Sequence, residues 1–244
     1  MAQHMRQARL EALLGTVHGE AAHLPAWLRP TRGEHRLPVL IAVLAIIAVQ
    51  LRMPTLLAMP PKYLLPAVEA ALAVGLAVMN PTRIAQENVP ARVAGLALFV
   101  AAATDTAWTA GRLVYLLATG LGGEQVHKPA QLLINGGSVW LLNIVVFALA
   151  YWEFDRGGPA ARAVARKTHP DFLFAQMTAP ELTPRDWEPT FVDYLYLSFT
   201  NATAFSPTDT LPLSRWAKLT MMVQSAISLV TAALVIARAV NIFS

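Results

Sequence analysis

Apolar residues run in five blocks, at roughly 37–57, 63–79, 93–118, 132–152 and 216–243, separated by segments rich in proline, charge and hydroxyl groups. An apolar block of about 20 residues, or about 17 at the short end, is enough to cross a bilayer as a helix. A membrane β-barrel shows short alternating segments instead. The pattern therefore predicts an all-α, polytopic helical membrane protein with about five transmembrane helices. The first two blocks are the weakest. The first holds Gln50 and Arg52 before Met53-Pro54, and the second follows Pro60-Pro61-Lys62, carries Glu69 and stops at Asn80-Pro81. Prolines at these edges are helix breakers.

Composition agrees with the blocks. Of 244 residues 55% are hydrophobic and only 14% charged, with mean hydropathy +0.46, against about 25% charge in a soluble domain. Cysteine is absent, which removes disulfides, thiolate metal sites and thiol nucleophiles. The six histidines form no paired metal motif, so no metal or cofactor is expected. The net charge of +4 reads as membrane topology and anionic-lipid contact rather than nucleic-acid binding.

Three regions follow. Residues 1–36 are mixed polar and basic, without an apolar stretch before a small-residue cleavage site. Leu10, Leu13, Leu14 and Val17 fall at helical spacing beside Arg6, Arg9 and Glu11, so this segment reads as a surface-lying amphipathic helix or a solvated tail. Residues 37–118 form a three-helix membrane region. Residues 131–244 hold a helix at 132–152, a polar connection at 153–190, a re-entrant helix and loop at 191–213, and a last helix at 214–243. The connection is Pro-rich, and Phe172 and Phe174 predict that it packs on the membrane face. With the N-terminus on the cytoplasmic side, fourteen of the nineteen Lys and Arg residues fall inside and four outside, with Arg112 intramembrane. That bias favours N-terminus in.

Charged residues inside spans are costly and are functional candidates by default. Glu69, Asp105 and Arg112 are of this kind. Asp105 and Arg112 lie seven apart on one helix face, each free to pair across to Glu69 or to another helix. The pairing reads as structural; a permeation or proton site is the alternative. In the last block Thr220, Gln224, Ser228 and Thr231 follow helical spacing. They either line a wet cavity or hold helices together.

Before the last helix, the aromatic stretch Tyr194-Leu195-Tyr196-Leu197-Ser198-Phe199 leads into Thr203-Ala204-Phe205-Ser206-Pro207-Thr208-Asp209. Hydroxyls and carbonyls can replace an ion's water shell, and Asp side chains favour cations. The plain reading is a polar turn, with Asp209 or Ser214 capping the last helix. The match at Asn201-Ala202-Thr203 to a glycosylation acceptor falls in this loop and is set aside.

The block at 132–152, the loop and the last helix resemble the two-helix pore module of potassium channels. Tyr196-Leu197-Ser198-Phe199 resembles the pore helix, Thr203 to Asp209 stand at the filter position, and Pro212-Leu213-Ser214-Arg215 resembles the following turn. Both filter glycines are absent, with Ser206 and Thr208 in their places and Pro207 where a tyrosine stands, so selection by stacked carbonyls is not implied. The whole chain, including Trp152-Glu153-Phe154-Asp155-Arg156-Gly157-Gly158-Pro159, also resembles bacterial inner-membrane proteins of unknown function. The resemblance implies an ion-channel-like homotetramer in the lipid bilayer, permeable to monovalent cations through a degenerate filter. A non-conducting partner subunit or scaffold, and a small-solute or proton transporter, remain alternatives. No nucleophile–base pair or acidic metal motif lies in the spans, so neither catalytic residues nor an enzyme is expected.

Overall fold

The computed structural model describes residues 24–85, 88–121, 123, 128–203 and 209–243. The helices are α1 (Leu37–Arg52), α2 (Leu64–Met79), α3 (Val89–Thr119) and α4 (Pro129–Phe154), followed by the short α5 (Pro159–Ala163) and α6 (Ala175–Thr178), then α7 (Phe191–Thr203) and α8 (Arg215–Phe243). Four two-residue strands form two antiparallel pairs. β1 (Glu34–His35) pairs with β2 (Arg83–Ile84), and β3 (Phe172–Leu173) with β4 (Leu211–Pro212). The amphipathic segment read in the first residues lies mostly outside the described part.

The helix ends follow local chemistry. α1 stops at Arg52 rather than at 57, because Met53 precedes Pro54 and is extended (φ −59, ψ 139), as the residue before a proline prefers. Asn80 before Pro81 ends α2 in the same way. Pro129 opens α4 at a position where the missing N–H costs nothing. Gly120 closes α3 in the left-handed conformation.

Three helices, Val89–Thr119, Pro129–Gly157 and Arg215–Asn241, are long and apolar enough to cross a membrane. The chain is an all-α membrane protein. At 16 residues each, α1 and α2 are shorter, about 24 Å at 1.5 Å per residue. They make an antiparallel hairpin whose start and end are joined by Arg36, which donates to Leu76 O and, at 2.8 Å, to Asn80 O. The hairpin packs on α3, and α4 sits centrally against α1, α3, α7 and α8.

Residues 153–190 pack over one end of this bundle, called here the loop end. α4 finishes there, and α1, α3, α7 and α8 all start there. Arg92 near the start of α3 pairs with Glu153. Trp216 at the start of α8 donates to Asp171 Oδ1 (2.8 Å) and meets Phe154 and Phe172 edge-on. The aromatic bulk of the loop is buried: Phe172 and Phe174 lie in the core with Tyr194 between them.

Candidate functional site

α7 begins at the loop end with its own N-terminal lock. Asp193, three residues into the segment, accepts from Thr190 N (2.8 Å) and Thr190 Oγ1 (3.0 Å), the reciprocal contact of a capping box. The Phe191 N–H donates to Glu34 Oε2 (2.9 Å), placing a carboxylate at the positive end of the helix. From there α7 runs into the bundle parallel to α8. Ser198 meets Gln224, Asn201 meets Met221 and Ser225, and Ser228 Oγ donates to Ala202 O. By Ala202, α7 is level with a point about halfway along α8. The chain is nevertheless back at the loop end by Leu211–Pro212, which pair with Phe172–Leu173. α7 therefore starts at the loop end and its last residues, Ala202 and Thr203, lie inside the bundle, while Leu211, eight positions beyond Thr203, is again at the loop end.

A polar network holds α7 between α4 and α8. Gln224 is fully buried. Its Nε2 donates to Ser198 O (2.9 Å) and Ser198 Oγ (2.6 Å). Its Oε1 accepts from Tyr151 OH (2.6 Å) and Asn201 Nδ2 (2.7 Å). Ser198 Oγ donates in turn to Ile144 O (2.6 Å), and Asn143 Nδ2 to Gln224 O (3.3 Å). Away from water, such groups persist only when they satisfy one another. Farther along the same helix pair, Gly136 lies against Val235, where a Cβ would come within 2.7 Å of a valine methyl. The backbones of α4 and α8 approach closely there, as small residues allow.

A second network closes the loop end. Arg162, buried on α5, bonds Glu34 Oε1 (2.9 Å) and the carbonyls of Trp152 (2.6 Å) and Asp155 (3.1 Å). Trp152 Nε1 donates to the same Glu34 oxygen (2.6 Å). Burial works against the charge on Arg162, but Tyr194, Glu34 and Asp155 around it outweigh burial and hold it above the usual arginine value. Burial pushes the Glu34 carboxyl up, opposed by Arg162, Trp152 and the Phe191 N–H. Asp155 accepts from Tyr194 OH (2.5 Å) and from Asp171 N (2.8 Å), while Asp171 accepts from Arg156 N (2.9 Å). The turn that shapes this network needs its glycines. Arg156, Gly157 and Gly158 have φ of 52, 89 and 99, and a Cβ on Gly158 would strike the Arg92 guanidinium and come within 2.9 Å of Glu153 O.

The residues expected from the sequence separate into groups. Thr203 ends α7 and donates to Thr200 O (2.9 Å). Asp209 is exposed at the loop end, 3.5 Å from Tyr196 OH, and Ser214 rather than Asp209 caps α8, accepting from Ala217 N (3.4 Å). Ala204, Phe205, Ser206, Pro207 and Thr208 lie outside the described residues. Of the stripe on α8, Gln224, Ser228 and Thr231 are buried within the chain and Thr220 is half-buried, bonding to Trp216 O (2.8 Å). The stripe thus acts as contact between helices within the subunit, while the opposite face, with Leu219, Met222, Val223, Leu229 and Ile236, is exposed and apolar.

Among the intramembrane charges, Glu69 and Asp105 come together but Arg112 does not join them. Gln50 Nε2 donates to Glu69 Oε1 (2.9 Å), and the Gln50 amide also reaches Asp105. Arg112 is half-exposed, donates to Leu56 O (3.2 Å) and lies over the Tyr115 ring. Seven residues put it about 10 Å farther along α3, level with the connection between α1 and α2. The expected charge pair is therefore replaced by two carboxylates around an amide.

Sequence reasoning did not single out Gln50, Asn143, Tyr151, Asn201, Glu34 or Arg162. Gln50 and Asn201 carried a signal, being polar groups inside apolar or membrane-loop stretches. Glu34 and Arg162 are 128 positions apart and carried none. No family model, curated protein or solved structure matches the chain.

Proposed function

We propose that the protein is an ion-channel-like membrane protein of the pore-loop type, which assembles as a homotetramer and passes monovalent cations. The observation that carries this reading is the placement of α7: a short helix clasped between two long ones, starting at the loop end and ending inside the bundle, with Leu211 back at the loop end. Irregular chain at membrane depth is tolerated where protein buries it or water reaches it. One bundle of this size does not enclose a pore, so conduction requires several copies around an axis, with the C-terminal end of α7 facing it. Asp209, exposed at the loop end, is the carboxylate that would favour cations. By the charge count, the loop end and the N-terminus face the cytoplasm of a bacterial inner membrane.

One observation favours a second reading, a non-conducting partner subunit that keeps the pore fold. The polar stripe of α8 is used up inside the subunit, and the residues it exposes between Leu219 and Val240 are apolar. The two readings separate in proteoliposomes. The first predicts potassium or sodium flux that falls several-fold in Asp209→Asn with assembly unchanged by native mass spectrometry. An intact oligomer that passes neither ion supports the second.

A further inference from the structure

The Glu69–Gln50–Asp105 cluster is a buried group of titratable residues that the pore reading does not use. Gln50 lies 13 residues into α1 and Asp105 16 residues into α3, which places the cluster roughly 20–24 Å from the loop end, deep in the bilayer. Glu69 is 0% exposed, Gln50 3% and Asp105 5%.

Its hydrogen bonding is incomplete on the acceptor side. The Gln50 amide donates to Glu69 Oε1, yet Gln50 Oε1 and Glu69 Oε2 are buried with no hydrogen-bond partner. Thr106 and Thr109 flank the Asp105 face of α3, and their Oγ1 atoms are also buried and unpartnered. The two charged groups at the site are both acidic. α1 supplies neutral Gln50, α2 supplies Glu69, and α3 supplies Asp105, with Arg112 directed away to Leu56 O. The ion pairs Arg92–Glu153 and Arg162–Glu34 both lie at the loop end. Among the described residues no basic group bears on either carboxylate.

Two carboxylates this close, both out of water, do not both stay ionised without a positive partner. A hydrogen on one carboxyl oxygen supplies the missing charge. It also supplies the missing donor, giving Gln50 Oε1 or the second carboxylate something to accept. We infer that Glu69 and Asp105 form a proton-binding site in the membrane interior, holding one proton between them at neutral pH, with Gln50 as the amide that bridges them. The site is a reversible acid: uptake forms one O–H bond on a carboxylate oxygen, and release returns the proton to water. It stands independently of conduction.

Infrared spectroscopy of the full chain in nanodiscs reads this directly. The expected result is a protonated-carboxyl C=O band at neutral pH that disappears in the Glu69→Gln/Asp105→Asn double variant and is insensitive to sodium. In each single variant the band should titrate out at lower pH than in the parent, because removing one carboxylate removes the repulsion. Isosteric amides preserve shape, and the two single variants are scored separately, so a folding failure in one leaves the other decisive. Absence of the band, or its persistence in the double variant, overturns the inference. Loss of the band on adding sodium also overturns it, in favour of a metal-cation site. None of these readouts depends on ion flux, so their failure and the failure of the pore reading are distinguishable.

Discussion

Replacing Gln224 with leucine tests how α7 is held. The leucine fills nearly the same volume, so the change removes hydrogen bonds rather than packing. Four side-chain bonds are lost, two donated to Ser198 and two accepted from Tyr151 and Asn201. Hydrogen bonds between membrane helices average about 0.6 kcal/mol and reach about 1.7, and orphaned buried donors each add about 1–3 kcal/mol when nothing replaces the partner. Asn201 keeps its bond to Met221 O (3.0 Å), whereas Tyr151 OH keeps only the 3.5 Å contact to Asn201. The expected loss is therefore about 2–4 kcal/mol. It should be measured as unfolding by denaturing detergent in mixed micelles, beside Val223→Ala on the exposed face, which should move stability by no more than about 0.5 kcal/mol. A Tyr151→Phe/Gln224→Leu cycle should show a coupling of about 1 kcal/mol. A loss below about 1 kcal/mol, or no coupling, would refute the idea that this network fixes the re-entrant helix.

Arg162→Met removes the buried partner of Glu34 and should cost about 3–5 kcal/mol, with much of the loss recovered in Glu34→Gln/Arg162→Met; thermal melting of both variants checks the pairing. Gly158→Ala should cost about 1–3 kcal/mol, because its backbone region is open almost only to glycine, and limited proteolysis should reveal loosening of the 153–190 segment. Gly136→Val should weaken the α4–α8 contact by about 1–3 kcal/mol through overpacking, and Val235→Ala in the same chain should restore part of it, again by melting temperature.

The helices and their ends were legible because their causes are local. Apolar blocks set α1, α2, α3, α4 and α8, and Pro54 and Pro81 set where the first two stop. The aromatic stretch at 194–199 marked α7, and the polar residues at 220–231 marked the inner face of α8. The direction in which that face points was not legible: a stripe with helical spacing looks the same whether it borders water or binds Ser198 and Asn201. The first block runs past the end of α1, to 57, because it includes part of the connection to α2, where Met53 and Leu57 are buried but not helical. Contacts between distant positions were hidden for the same reason throughout. Nothing near Glu34 in the chain announces Arg162, and nothing near Arg112 says that it turns to Leu56 O while Glu69 and Asp105 meet around Gln50.

Single-particle electron microscopy of the protein in nanodiscs tests the central claim most directly. The account predicts a four-fold ring in which the C-terminal end of α7 converges on the axis, with the loop end of every subunit on one face. A monomer, or an assembly in which the end of α7 faces lipid away from any axis, would contradict it.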